Sequence, residues 1–214
     1  MRFLVAALLS LFLALPACAQ PAEKFALDKN YFVIDPPQQT TSGDKIEVLE
    51  VFMYSCAHCY DLEPYLMKWR ATAAKDVAYS AFPAAWSEGA EAFARAFYAA
   101  ETLGILEKSH EAMFTAFHKE RTPFNSMEDI AQWYTQFGVT KEAFLSAATS
   151  FAVNTKVNRS KAMLPRWNVA GTPTIIINGK YRFDVSSAGG HQNIGPLIDF
   201  LVDKARAGSA VAAD

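Results

Sequence analysis

The chain has 214 residues, with 20 basic against 22 acidic side chains and a formal net charge of −2. That balance excludes the strongly basic surface that nucleic acid or an anionic membrane would select. At 51% hydrophobic the chain can fill a sizeable core, and its length suits one large domain or a domain carrying an insertion.

At the amino end, Arg2, the apolar run Phe3 to Leu15 and the small residues Ala17 and Ala19 read as a secretory signal peptide over residues 1–19. The run is too short to span a bilayer. Cys18 lies in the same segment, so Leu15-Pro16-Ala17-Cys18 is alternatively a lipoprotein processing site that leaves Cys18 acylated. Pro16 directly before the small residue fits that enzyme poorly, which favours the soluble form. Either way the folded part keeps only Cys56 and Cys59, in an oxidising compartment.

Gln20 to Leu27 reads as loose. Tyr31 to Ile34 is a short strand closed by Asp35-Pro36-Pro37, and a turn-rich stretch leads from Gln38 to Asp44. Val48 to Tyr54 carries one charge, Glu50, and reads as a buried central strand. From Ala57 to Lys75, Leu62, Tyr65, Leu66 and Trp69 recur at helical spacing, with Pro64 inside the pattern. Cys56-Ala57-His58-Cys59 therefore lies at a strand-to-helix junction.

Two cysteines separated by two residues at a helix start can close a reversible disulfide. Unpaired backbone N–H groups, the helix dipole and a protonated His58 favour a thiolate at Cys56, which makes it the attacking sulfur and Cys59 the resolving one. Stabilising that thiolate stabilises the dithiol, so the disulfide becomes a stronger oxidant. Two other readings compete. Half of a zinc site needs further ligands, but His58, His110, His118 and His191 are scattered, and His110 and His118 stand about 80° apart round a helix. A structural disulfide across so short a loop stabilises little. No metal is expected.

Val77 to Phe82 reads as a strand ending at Pro83. From Ala90 to Pro165 the pattern is helical. Phe93, Phe97 and Ala100 stripe one helix ending near Gly104, and Met113, Phe114 and Phe117 stripe the next. Ser126 caps a third that Gly138 stops, and Thr140 caps a fourth running toward Thr155. The sheet resumes at Thr174 to Ile177, turns at Asn178-Gly179 in the manner of a type I′ hairpin, and returns through Tyr181 to Asp184. A last helix from about Asn193 to Lys204 buries Ile194, Leu197, Ile198 and Leu201, ahead of an Ala-rich tail that reads as loose.

Phe52-Met53-Tyr54-Ser55-Cys56-Ala57-His58-Cys59-Tyr60-Asp61-Leu62-Glu63, the helical insert, and Val169-Ala170-Gly171-Thr172-Pro173-Thr174 together resemble the DsbA family of periplasmic thiol-disulfide oxidoreductases. The resemblance covers essentially the whole mature chain. It implies an α/β thioredoxin fold with a central mixed sheet and an inserted all-helical domain: residues 20–86 and 166–207 form the thioredoxin-like parts, 87–165 the insert and 208–214 a flexible tail. The resemblance likewise implies a lowered pKa at the attacking cysteine, Cys56.

By the same resemblance Pro173 is a cis-proline beside the disulfide. Thr172 then offers its N–H and C=O to an extended substrate segment by strand addition. Glu50 shares a side of its strand with Ile46, Val48 and Phe52, which suggests a buried carboxyl of raised pKa. The family's acidic residue at this position implies a proton acceptor for Cys59. Tyr54 and Trp86, with Phe52 and Tyr60, are candidates for an apolar substrate groove, the competing reading being core. Ala57 stands where Pro is familiar in the family, and Thr172 where Val is common before the cis-proline. The implied activity is a monomeric periplasmic oxidase of reduced, unfolded secreted proteins, reoxidised by a DsbB-like membrane protein that passes electrons to quinone, with no metal or organic cofactor. A reductase or isomerase kept reduced, and a peptide-binding holdase with incidental thiols, are the alternatives.

Overall fold

The computed structural model describes residues 24–211. The expected leader, residues 1–19 with Cys18, and the last three residues of the tail lie outside the described residues. Five strands form one mixed sheet: β1 (Phe32–Val33), β2 (Ile46–Phe52), β3 (Val77–Pro83), β4 (Thr174–Ile177) and β5 (Tyr181–Asp184), in the spatial order β1-β5-β4-β2-β3. β2 pairs parallel with β3 and antiparallel with β4. Among the described residues there are seven α-helices: α1 (Ala57–Arg70), α2 (Glu88–Thr102), α3 (Leu106–His118), α4 (Met127–Tyr134), α5 (Lys141–Ala148), α6 (Phe151–Arg166) and α7 (Ile194–Val211). Helices α2 to α6 all fall between β3 and β4, giving a thioredoxin-like sheet with an inserted helical region. Among the described residues no helix is long and apolar enough to cross a membrane.

All seven residues of β2 are buried, because both faces of the sheet are covered. Ile46 and Val48 face Leu62, Leu66 and Trp69 of α1 and Leu197, Ile198 and Leu201 of α7. Leu49 and Val51 face Ile176, Phe82 and the end of α6 at Leu164 and Trp167. Each fully buried leucine or isoleucine here contributes on the order of 2 kcal/mol of apolar transfer. Trp69 also donates its indole N–H to Asp199 at 2.8 Å, tying α1 to α7. A third cluster, within α2 to α6, reaches Phe52, Tyr54 and Cys59, so the end of β2 and the start of α1 pack on the helical region.

Several boundaries differ from the sequence expectation for local reasons. The single helix expected from Thr140 toward Thr155 is two. Thr149 closes α5 with its hydroxyl on the Leu145 carbonyl, and Ser150 caps α6 by accepting from Val153 N–H. The last helix does not stop at Lys204 but runs to Val211: Ala205 is 3% exposed, and alanine favours continuation. Lys24 to Leu27 is not loose, since Phe25 is buried with its ring edge on Phe200. At the hairpin Asn178 (φ 50°) and Gly179 (φ 62°) take the left-handed conformations of a type I′ turn, and the Ile177–Tyr181 register adds Lys180 as a third loop residue.

Gly179 is fixed by more than its φ. A Cβ built there would lie 2.0 Å from the carbonyl oxygen of Gln38, whose N–H bonds to Gly179 O. Gly179→Ala is expected to destabilise the protein by at least about 1–2 kcal/mol, read as a lower urea midpoint with unchanged m value.

Candidate active site

After β2, residues Met53 to Ser55 turn the chain into α1, with Cys56 N–H bonded to Met53 O at 3.1 Å. Cys56 is the N-cap residue, extended at φ −85° and ψ 113°, and its carbonyl accepts from Cys59 and Tyr60 N–H, both at 3.1 Å. No side chain caps this end, and no acidic residue occupies the first turn. The positive end of the helix is thus left for the sulfur. Cys56 is half-buried, Cys59 fully buried, and both are free thiols here.

The two thiols are driven apart in acidity. Cys56 is lowered to about 5, first by a hydrogen bond from the Cys59 thiol, then by Thr172 and by the backbone N–H groups of Cys59 and His58, against the cost of partial burial. Burial raises Cys59 far above the ordinary thiol range, helped by its bond to Cys56 and the nearby charge of Glu50. His58 was expected to act through a protonated ring. Its ring is exposed, and the contribution comes from its backbone N–H.

Thr172 reaches this sulfur from 116 residues away. β4 runs antiparallel to β2, with Thr174 opposite Val51 and Ile175 opposite Glu50, which lays the segment before β4 alongside the segment after β2. The Thr172–Pro173 peptide is cis, and Thr174 Oγ1 donates to Gly171 O at 2.8 Å to brace the turn. The Cys56 thiol donates to the Thr172 carbonyl at 3.3 Å, and the side-chain hydroxyl of Thr172 favours the thiolate.

Glu50 is completely buried in β2 and accepts a 2.6 Å hydrogen bond from Tyr79 of β3. Burial, then the charge of Glu63, raise its carboxyl to about 8, with Tyr79 and Arg70 acting in the opposite sense. The raised value means that Glu50 favours the fold while neutral and costs stability progressively as pH rises from 4.5 through 8. The carboxyl therefore keeps its proton to a higher pH than an exposed glutamate.

Tyr54 does not line a groove. It is 1% exposed, its hydroxyl meets His110 Nδ1 at 2.8 Å, and its carbonyl meets His118 Nε2 at 2.7 Å. Phe52 is equally buried, in edge contact with Tyr54, Phe97 and His110. Tyr60 stacks on His118. Trp86, at 44% exposed, keeps a free face. Residue spacing alone does not single out Tyr79 and Glu63, and it brings up His110 and His118 only as a poor zinc-ligand pair. Glu63 had a signal, lying four residues past Cys59 on the same buried stripe; the others are brought in by strand pairing and by the packing of α3. Among the described residues no group of three or more His, Cys, Asp or Glu side chains is arranged to hold a metal ion.

The family model for the DSBA-like thioredoxin domain matches residues 69–194. The thiol:disulfide interchange protein DsbA of Pseudomonas aeruginosa is 34% identical over 97% of this chain and 98% of its own length. That of Pseudomonas syringae pv. tomato is 36% identical over 91% of each. The crystal structure of Pseudomonas aeruginosa DsbA superposes with a TM-score of 0.83 at 35% identity, covering 88% of this chain and 98% of that one.

Alkylation of Cys56 by iodoacetamide is expected to be half-maximal near pH 5. Thr172→Val, which removes a hydrogen bond to a charged sulfur, is expected to move that midpoint up by about one pH unit.

Proposed function

The chain belongs to the DsbA family of thioredoxin-like thiol:disulfide oxidoreductases, and from that membership we propose that Cys56 and Cys59 are its redox pair and Thr172, Pro173, Glu50 and His58 its supporting site. The observation that carries the reading is the opposed acidity of two thiols one helical turn apart, one half-buried against Thr172 and the other sealed beneath.

In the disulfide form, a thiolate of a reduced secreted protein attacks Cys56 Sγ. The Cys56–Cys59 bond breaks and its electron pair leaves on Cys59. Cys59 takes a proton from neutral Glu50, which becomes a carboxylate. A second substrate thiolate attacks the substrate sulfur of the mixed disulfide and releases Cys56 as a thiolate, which needs no proton at neutral pH. Two electrons have moved from substrate to enzyme. Thr172, with no N–H donor following it at Pro173, holds the substrate backbone by strand addition, and the exposed Trp86 offers an apolar face to the substrate.

The family supports an exported, periplasmic protein reoxidised by a DsbB-like quinone-linked membrane partner. It also supports the oxidase direction, because a favoured Cys56 thiolate makes the disulfide the stronger donor. Neither a metal nor an organic cofactor enters any step. In the dithiol, Cys56 titrates at about 5 against 9 unfolded, so its contribution is present above pH 9 and lost as pH falls through 5. The thermal midpoint of the reduced form relative to the oxidised form is expected to fall over that interval.

Cys56→Ala is expected to abolish disulfide transfer to a reduced peptide, and Cys59→Ala, mixed with oxidised glutathione, to stop at a mixed disulfide of Cys56 with one glutathione as the other leaves as a thiolate, both read by mass after acid quench. Faster repair of a scrambled substrate than oxidation of a reduced one identifies a reductase or isomerase instead. Unchanged peptide binding and cellular function in Cys56→Ala identifies a holdase.

A further inference from the structure

β3 is the last strand of the sheet, and among the described residues no strand pairs with its outer edge. Its ladder to β2 runs from Ile46 N–H on the Asp76 carbonyl to Ala84 N–H on the Phe52 carbonyl. In a parallel pair only alternate residues bond to a given neighbour, so residues 76, 78, 80, 82 and 84 serve β2. The N–H and C=O groups of Tyr79 and Ala81 therefore point off the open edge. Such a row is a template for another extended chain.

The edge opens into a cleft of about 830 Å³ between α1, β3, α2 and α3, where Tyr79 and Ala81 are joined by Glu63, Glu101, Glu107 and Glu111. Glu101 is paired with Lys156 at 2.7 Å. Arg70 brings a positive charge to the lining, but its guanidinium lies over the Tyr79 ring, 4.5 Å from the centroid. Carboxyl groups thus predominate. Glu63 is 5% exposed, yet its Oε1 has no hydrogen-bond partner, since His110 Nε2 at 3.6 Å stands beyond hydrogen-bond reach. A buried oxygen left in this way costs free energy that an incoming donor recovers.

A second groove, of about 340 Å³, shares Glu63, Met67 and Glu111 with the first and extends to Tyr60 and Asp61, directly after Cys59. The two make one path along α1 from the redox turn to the β3 edge. From Cys56 to Glu63 the helix rises about 10 Å, a span that about three residues of extended chain cover. One substrate chain is long enough to meet both places.

We propose that the β3 edge and this acidic cleft are a second docking site for the unfolded substrate, which adds as a strand along Tyr79 and Ala81 and extends an arginine side chain to Glu63. The proposal rests on the thiol-exchange reading above and names a preferred substrate class: chains with an arginine a few residues from the reacting cysteine. The excess of carboxyl groups and the continuity of the path with the redox turn select this occupant. Arginine suits the site better than lysine, because a guanidinium is less strongly hydrated and gives up less on reaching a buried carboxyl. Met67, 46% exposed between the two grooves, offers apolar surface to the methylene stem.

Binding is read by fluorescence anisotropy with a labelled, cysteine-free peptide, Val-Thr-Arg-Val-Thr, and with its citrulline counterpart, which keeps the shape of arginine and loses the charge. The wild type is expected to bind the arginine peptide about tenfold more tightly, and Glu63→Gln to bind both alike. N-methylation of alternate amides, which blocks strand addition, is expected to abolish binding. Each sequence is also joined by a short Gly-Ser spacer to a peptide dithiol, and its oxidation by the disulfide form is followed. At limiting peptide the arginine form is expected to react several times faster than the citrulline form in the wild type and no faster in Glu63→Gln.

Equal binding of the two peptides by the wild type overturns the proposal, as does an arginine preference that survives Glu63→Gln. Displacement of the peptide by arginine amide at matched concentration marks a small-cation site and overturns strand docking. Binding without faster oxidation overturns the substrate role. Should Glu63→Gln fail to fold, Glu107→Gln combined with Glu111→Gln, both exposed, decides: a narrower gap between the peptides is expected, and an unchanged gap overturns the proposal. A disulfide form that oxidises neither dithiol refutes the thiol-exchange reading itself, and the anisotropy measurement still decides the cleft.

Discussion

The antiparallel pairing of β2 with β4 is the constraint on which the site depends. It sets the end of β2 and the beginning of β4 at one edge of the sheet, so that Cys56 and Thr172 meet although 116 residues separate them. The parallel partner on the other side, β3, supplies the Tyr79 hydroxyl to Glu50. A strand with neighbours of opposite sense on its two sides thereby collects chemistry from two distant segments. The full burial of β2 follows from the same position, since α1 and α7 cover one face and the end of α6 the other.

The electrostatics are built on a contrast of depth. Cys56 sits at the rim, where backbone N–H groups and Thr172 can favour its charge. Cys59 faces inward on the same helix, where burial, its bond to Cys56 and the Glu50 charge outweigh the Met53 backbone hydrogen bond that favours ionisation. One helical turn thus separates a thiol that ionises readily from one that must borrow a base. The asymmetry decides which sulfur an incoming thiolate meets and which one leaves.

Much of the fold is legible from local pattern. The strand before Cys56, the Asn178-Gly179 turn and the stripe Ile194, Leu197, Ile198 and Leu201 each rest on rules that act over a few residues. What pattern does not convey is pairing between distant segments. Tyr79 reads as one residue of an ordinary strand until β3 is set beside β2, and His110 as one polar position on an amphipathic helix until α3 is docked. Tyr54 failed as a groove residue for the same reason: its aromatic ring suits a substrate face or a core equally, and only the arrival of α3 selects the core. The division at Thr149-Ser150 depended on two hydroxyls satisfying backbone groups, which compete closely with continued helix.

Tyr54 also bears on how the two regions of the molecule cooperate. Two histidines on one helix of the insert grip it at opposite ends, His110 at the hydroxyl and His118 at the carbonyl, two residues before the redox sulfur. The insert is consequently a buttress for the catalytic turn rather than a cap laid over it. Any chimera that exchanges residues 88–166 with a relative must therefore transplant a matched trio at 54, 110 and 118, or the turn that presents Cys56 loses its external support.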